Sequence, residues 1–344
     1  RLLMANLRAN KIVGIGSTDT GVTFNGPISF NSQGYMHFPT GNTVNRGRGR
    51  ALILGGIYPE ATRMETYNLT SSSNAVEFGT LSGGNNQAWG GATGNSTRSL
   101  IGGGNGVINN IEYVTIAALG DSVDFGDLTV ARRHAGPAGN NTRGIFAGGE
   151  TAGSNTITNV MDFVTIASTG NAQDFGDNGG TRGAGGCGSP TRAIWGGGQT
   201  GPTGVDVIDY ATFATTGNTT DFGNLTQARA NIAGCSNTTR AVWMGGSNPT
   251  PAQYNIIDYV TIATTGNATD FGDLFTTVYS IAGCSASHTR GMVNGGYAPS
   301  PGAYINTIQF ITFASTGNAA DWGDMANARG GYLGGTSDSH GGLE

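Results

Sequence analysis

Short apolar runs recur along this chain at a nearly constant interval, and each is followed at once by a pair of glycines. ALIL, AIW and AVWM are examples, leading to Gly55/Gly56, Gly197/Gly198 and Gly245/Gly246; the other pairs are Gly103/Gly104, Gly148/Gly149 and Gly295/Gly296. A run this short, bounded by turn residues, reads as a buried strand. The glycines let the chain turn sharply off it. An arginine opens every run, at Arg50, Arg98, Arg143, Arg192, Arg240 and Arg290, with spacings of 48, 45, 49, 48 and 50 residues.

The next segment in each unit, such as NIIDYVTIATTGN, is rich in β-branched and aromatic residues and closes on a Gly-Asn turn signal. Its aromatic is Tyr67, Tyr113, Phe163, Tyr210, Tyr259 or Phe310. A second aromatic lies in DFGD or a relative of it: Phe78, Phe125, Phe175, Phe222, Phe271 or Trp322. The two are 11 residues apart in the first unit and 12 in the other five. Such constancy predicts a hairpin of fixed register, since a one-residue slip would turn every side chain to the wrong face. From the glycine pair to the first aromatic the interval instead varies from 9 to 14 residues. Each unit ends in a small, glycine-rich stretch (AWGGA, HAGPAG, GAGGCG, NIAGC, SIAGC, YLGGT), suited to an innermost strand near an axis.

Four strands per unit and six units predict 24 strands in an all-β, six-bladed β-propeller. No stretch sustains the apolar spacing and caps of a helix. The units fall at about residues 46–96, 97–141, 142–190, 191–238, 239–288 and 289–337, within a propeller over 46–344. Residues 1–45 are expected to form a short β or extended segment for attachment or assembly. The first unit lacks an inner strand before Ala51–Leu54, and the last is followed by a surplus one at Gly330–Ser337. That C-terminal strand is therefore expected innermost in the first blade, closing the ring and removing an open edge.

Composition narrows the chemistry. Glycine is abundant, 61 of 344 residues, but without the G-x-y period of collagen. Only 11% of residues are charged, the net charge is −5, and Lys11 is the single lysine. A surface that tracks phosphates needs clustered cations, so nucleic acid is not an expected partner. No run approaches 18 apolar residues, so no membrane insertion is expected. The N-terminal RLLMANLRAN lacks the pattern of a secretory signal. Cys187, Cys235 and Cys284 read as small residues at equivalent places on successive inner strands, with no zinc-like or disulfide-framework spacing.

The units resemble kelch repeats, as in LTQARANIAGCSNTTRAVWMGG at residues 225–246, over about residues 46–337. They depart in carrying Phe within DFGD where the family more often has Trp; Trp322 alone keeps it. ITFASTGNAADWGDM and VTIATTGNATDFGDL are further similar in style to kelch-like virion proteins of tailed bacteriophages. ANKIVGIGSTDTGVTFNGPISFNSQGYMHFPTGNT resembles short N-terminal modules on such proteins. This resemblance implies a non-enzymatic virion structural protein, a tail fibre, spike or capsid-surface decoration, made in the host cytoplasm and carried on the extracellular particle. Its expected partners are other virion proteins and a host-surface glycan or receptor, in an oligomeric setting and without cofactor. A cellular kelch-like adaptor or lectin is the alternative, and a propeller enzyme acting on polysaccharide a third.

The conspicuous motifs read as scaffold. DFG occurs four times without the HRD of a kinase. Its aspartates form a ladder, Asp124, Asp174, Asp221, Asp270 and Asp321, for which pairing with the six arginines between blades is the structural expectation. Calcium is the sharper alternative, although the clustered oxygen spacing of a calcium loop is missing. His37, His134, His288 and His340 show no metal-site spacing, so no metal is expected. Binding is expected on the loops of variable length, which carry Tyr58, Tyr254, Tyr297 and Tyr304. The competing reading of these rings is that they cover the loop bases.

Overall fold

The computed structural model describes residues 49–56, 61–83, 90–152, 156–248, 252–279, 283–331 and 333–343. The segment 1–45 and Tyr58 lie outside them. The described residues contain no helix and form six antiparallel four-stranded blades. From the inside outward, the second blade is β4 (Gly91–Gly94), β5 (Arg98–Gly102), β6 (Ile108–Thr115) and β7 (Val123–Arg132). The third is β8 (Gly136–Gly139), β9 (Arg143–Ala147), β12 (Val160–Thr165) and β13 (Gln173–Asp177). The fourth is β14 (Gly185–Gly188), β15 (Arg192–Gly196), β16 (Val207–Thr212) and β17 (Thr220–Asn224). The fifth is β18 (Ala233–Ser236), β19 (Arg240–Met244), β20 (Ile256–Thr261) and β21 (Thr269–Asp273). The sixth is β22 (Cys284–Ala286), β23 (Arg290–Ala298), β24 (Ala303–Thr312) and β25 (Ala320–Asp324).

The first blade joins the two ends of the ring. Its outer strands are β1 (Arg50–Leu54), β2 (Arg63–Asn68) and β3 (Val76–Thr80), and its innermost strand is β26 (Gly334–Ser337). β26 runs antiparallel to β1, with Ala51 opposite Ser337 and Leu54 opposite Gly334. This is the closure expected from the surplus strand. Two strands exceed the expected 24: a hairpin of β10 (Glu150–Ala152) and β11 (Thr156–Ile157) grows from the connection after Gly148/Gly149.

The DFGD motif is a β-bulge, repeated in every blade. In the fourth, Asp209 faces Asp221 while Ile208 faces Gly223, so Phe222 is the extra residue of its strand. A bulge re-aims a side chain. Here it turns Phe222 into the core, edge-on to Tyr210 at 5.8 Å. The same pair recurs as Tyr113–Phe125, Phe163–Phe175, Tyr259–Phe271 and Phe310–Trp322. The fixed interval between the two aromatics therefore holds together both a hairpin register and a ring contact.

Neighbouring blades are clasped by the same two motifs. The Gly-Asn turn of each blade lies on the DFGD strand of the blade before it. Gly266 N donates to Phe222 O at 2.8 Å, Ala268 N to Asn224 O at 2.7 Å, and Asn224 N to Asn267 Oδ1 at 3.1 Å. Equivalent bonds join Gly170 to Phe125, Gly217 to Phe175 and Gly317 to Phe271. The last interface uses Asn74, whose Oδ1 accepts from Asp324 N at 3.0 Å.

The opening arginines do form a ring, but not with the aspartate ladder. Arg50, Arg98, Arg143, Arg192 and Arg290 each donate from Nη1 to a carbonyl of the next blade (Ile116, Ile166, Phe213, Ile262 and Leu69) at 2.5–2.9 Å. Arg240 does the same to Phe313 O. Several guanidinium groups also lie over the first aromatic of their own blade, at 4.7–4.8 Å for Arg98, Arg143, Arg192 and Arg240. Such stacking suits the planar, weakly hydrated guanidinium. Asp124, Asp174, Asp221, Asp270 and Asp321 instead stand exposed on the outermost strands. They are two strands away from the arginines, which is why the expected Arg–Asp pairs do not form.

The inner strands enclose a narrow axis. Cys187 and Cys235 sit opposite Ile194 and Val242, two residues beyond their blade's arginine, whereas Cys284 sits opposite Val293, three beyond its own. The three cysteines are thus not equivalent: Cys284 is one residue out of step and projects from the other face of its strand.

Beyond β26, residues 338–343 cross one end of this axis. Gly341 N donates to Ser236 O, Asn141 N to Gly342 O, and His340 Nε2 to Gly94 O at 2.8 Å, while Gly342 N donates to His340 Nδ1. One short segment thereby ties the second, third and fifth blades. The bonding makes the imidazole neutral, and burial pushes His340 down to about 4 against the opposing bond to Gly94. Below about pH 6.5 the unfolded chain takes up a proton that the folded one refuses, so stability falls as pH falls from 6.5 towards 4. The loss from this group reaches about 3 kcal/mol. His134, pushed down to about 3 by burial and then by Arg133, acts in the same direction. Urea titrations from pH 7.5 down to 5 are expected to show a falling midpoint, and His340→Gln to flatten about half of that fall. An unchanged slope in the variant would rule out this role for His340.

Candidate functional face

Connections from the second to the third strand, and from one blade to the next, emerge on the face opposite the clasps. The blade-to-blade connections carry a second set of arginines that the repeat pattern had not singled out. Arg132, Arg229 and Arg329 are fully buried and pair with the buried acids Asp162, Asp258 and Glu65 on third strands. Arg229 Nη1 lies 2.7 Å from Asp258 Oδ2, and Arg329 Nη2 lies 3.2 Å from Glu65 Oε2. Elsewhere the pair is replaced. In the second blade Glu112 accepts from Ser82 and Ser122. In the sixth blade Val278 and Gln309 occupy the two places, with Gln309 bonded to Thr276. In the fourth blade Thr181 takes the arginine's place, its carbonyl accepting from Gly149 N, and Asp209 is half-buried with its carboxyl pushed up by burial and by Asp221. These acids alternate with core residues on the third strand (MET, IID), and that alternation was the available signal.

Two groups on this face break the six-fold repeat. The first surrounds Glu150 of β10, which is fully buried. Its carboxylate receives Arg133 Nη2 at 2.8 Å and Arg182 Nη1 at 2.5 Å, with His134 Nδ1 at 3.6 Å. Burial alone would raise this carboxyl, but the hydrogen bonds from the two arginines outweigh it and hold Glu150 below the usual range. With His134 neutral, the cluster carries one excess positive charge. His134, Gly183 and Asn231 hold the same left-handed backbone position in successive connections, with φ of 58°, 65° and 55°. They border a cavity of about 90 Å³ at this mouth of the axis.

The second group is aromatic. Tyr297 of β23 faces Tyr304 of β24 across the sixth-blade hairpin, with ring centroids 5.4 Å apart and nearly perpendicular planes. Tyr279, from the preceding connection, packs on Tyr297 at 5.2 Å and exchanges both main-chain hydrogen bonds with it. All three are partly exposed. The fold therefore unites Tyr297 with Tyr304 and adds Tyr279, which the loop-based reading passed over because it lies in a blade-to-blade connection. Tyr304 also covers Gly330, where an added Cβ would come within 2.6 Å of its ring, so part of that ring acts as a lid on the loop base. Tyr254 stands apart in the fifth blade, its N–H donated to Gly246 O.

The third and sixth blades lie opposite each other in a six-membered ring, so β10–β11 and the long β23–β24 hairpin flank the axis from opposite sides. The face offers flat aromatic surfaces with hydroxyls on one side and guanidinium donors on the other. Among the described residues, no three His, Cys, Asp or Glu side chains converge to hold a metal ion. Comparison with known proteins finds no family model that matches the chain and no curated relative.

Proposed function

We propose that this chain is a non-enzymatic, kelch-like structural protein of a tailed-phage particle, whose propeller presents its variable face to a host-surface glycan or receptor. The observation that carries the reading is the contrast between the two faces. One repeats the same clasp from blade to blade, as a scaffold does. The other concentrates its irregularities, the Tyr279/Tyr297/Tyr304 cluster and the Glu150 cluster, at the ends of hairpins of unequal length. Recognition residues characteristically sit on variable loops held by a rigid frame. Tyrosine suits sugar rings because it joins an apolar face to a hydroxyl. The phage setting rests on the resemblance of the repeats, and residues 1–45 would provide attachment to the particle or to sister chains.

Two measurements test this. Antibody against the chain should label intact virions; unlabelled particles would refute the virion setting. On a glycan array the purified protein should bind a restricted set of sugars, and Tyr297→Ala should weaken that binding about ten-fold or more. Unchanged binding by Tyr297→Ala and Tyr304→Ala would place the site elsewhere. Hydrolysis of a polysaccharide would favour an enzyme instead.

A further inference from the structure

Among the described residues, four blades share one main-chain bridge on the variable face. The connection entering the blade places a residue beside the one that follows that blade's glycine pair, and the two exchange both main-chain hydrogen bonds. Arg133 is joined in this way to Glu150, Arg182 to Gln199, Ala230 to Ser247 and Tyr279 to Tyr297, at 2.8–3.2 Å. The backbone bonds are the same each time, while the side chains are ionic, polar, small and aromatic in turn. The Ala230–Ser247 bridge forms with no ring at all, so the rings of Tyr279 and Tyr297 are not what the bridge requires.

Those rings and Tyr304 form a corner. Tyr297 stands at 88° to Tyr304 and 60° to Tyr279, with centroids 5.4 and 5.2 Å away. Its hydroxyl lies towards the exposed hairpin tip, where an added Cβ on Gly302 would be 3.7 Å from it. Each ring offers an apolar face and a hydroxyl that both donates and accepts. The surrounding chain is without charge: between Asp273 and Asp321 the single Arg, Lys, Asp or Glu is Arg290, which lies at the clasp end of β23 and bonds to Leu69 O. An anion seated on the corner would lose hydration without meeting a counter-charge. A cation would gain little, because in each edge-to-face pair the positive edge of one ring already occupies the negative face of the other. The guanidinium groups of this face stand instead about Glu150, in the opposite, third blade.

We propose that the Tyr279/Tyr297/Tyr304 corner binds an uncharged sugar, a pyranose whose apolar C–H face stacks on a ring while its hydroxyls bond the phenolic oxygens. The inference rests on the glycan-binding reading above and narrows it to neutral sugars and to this one hairpin. The test presents the full chain to an array of oligosaccharides in matched uncharged and carboxylated forms, in sodium chloride from about 50 to about 500 mM. The measurement is repeated with Tyr279→Ala/Tyr297→Ser. This double variant copies the Ala230–Ser247 bridge, so the amides at positions 279 and 297 should stay protected from hydrogen exchange as in the parent. The parent should retain uncharged glycans, with affinities that change less than about two-fold over that range of salt. The double variant should bind them about ten-fold more weakly or worse. Binding confined to carboxylated glycans and weakened by salt would overturn the inference and leave the glycan reading standing, whereas binding to no glycan would remove both. Undiminished binding by the double variant would also overturn it. So would loss of amide protection at the two positions, since the rings would then serve to hold the loop bases.

Discussion

Arg229→Val is expected to destabilise the propeller by about 3–5 kcal/mol, the usual cost of breaking a buried ion pair from one side. Arg229 is fully buried and satisfies more than the carboxylate. Nε donates to Gly245 O at 2.9 Å, Nη1 to Asp258 Oδ2 at 2.7 Å, and Nη2 reaches Trp243 O at 3.4 Å. It thereby pins the connection between the fourth and fifth blades to the fifth. Removing it leaves Asp258 buried with donors from Thr226, its hydroxyl and main-chain N–H. Domains of this kind hold roughly 5–15 kcal/mol in total, so the midpoint of urea unfolding should fall by about a fifth or more.

The chain contains its own control for that experiment. In the sixth blade Val278 stands where Arg229 does, its carbonyl accepting from Gly246 N as Arg229 O accepts from Gly198 N. Gln309 stands where Asp258 does; it accepts from the main-chain N–H of Thr276 and donates to its carbonyl, two residues before Val278, whereas Asp258 accepts from the hydroxyl and N–H of Thr226, three residues before Arg229. Arg229→Val/Asp258→Gln copies this neutral arrangement into the fifth blade. It should recover at least half of the stability lost by Arg229→Val, because the penalty lies mostly in the stranded charge. Equal losses in the single and double variants would show that the guanidinium matters through its carbonyl contacts instead. Asp209 illustrates the same physics in the native chain: without such an arginine, burial pushes its carboxyl up.

These pairs show where reading the sequence stopped short. Six equivalent arginines revealed the period, the glycine pairs the ends of the second strands, and the surplus stretch after Trp322 the closure. All of that depends on spacing, which a repeat displays directly. Contact between blades does not appear as spacing. Asn267 and Asn224 meet 43 residues apart, and the repeat says only that each has equivalents, not that one touches the other. The opening arginines and the DFGD aspartates recur with equal regularity, yet solvent and the core separate them. The buried arginines are kept in three blades and are correspondingly harder to see. Joint replacement marks them in the sixth blade alone, where Val278 appears together with Gln309; the second and fourth blades keep the acid without the arginine. The cysteines could have been separated by counting to the following arginine, 5, 5 and 6 residues, since a single residue decides which face of a strand a side chain takes. Among the tyrosines, loop position alone groups Tyr297 with Tyr304, whereas Tyr279 joins them only through strand pairing with Tyr297.

The clasp carries the other large expected effect, at Gly223→Ala. Gly223 belongs to the DFG bulge and adopts φ of +148°, where a Cβ would sit about 2.5 Å from Gly266 C and 2.9 Å from Asn267 N. Both are main-chain atoms, and they cannot retreat without giving up the bonds from Gly266 N to Phe222 O and from Ala268 N to Asn224 O. The backbone conformation alone costs a side chain about 1–3 kcal/mol. Overlap with a fixed backbone adds to that, so the total loss should exceed about 4 kcal/mol. Gly266→Ala separates the two contributions. Gly266 has nearly the same φ, +157°, but a Cβ there meets nothing within 4 Å, so this variant should show the conformational cost alone. Unfolding midpoints measured side by side are expected to place Gly223→Ala well below Gly266→Ala. Hydrogen exchange should show the extra loss as opening of the fourth–fifth interface, at the amides of Gly266 and Ala268. If the two variants lose the same stability, backbone strain would account for the glycine in DFGD, and close approach of the blades would not be its reason.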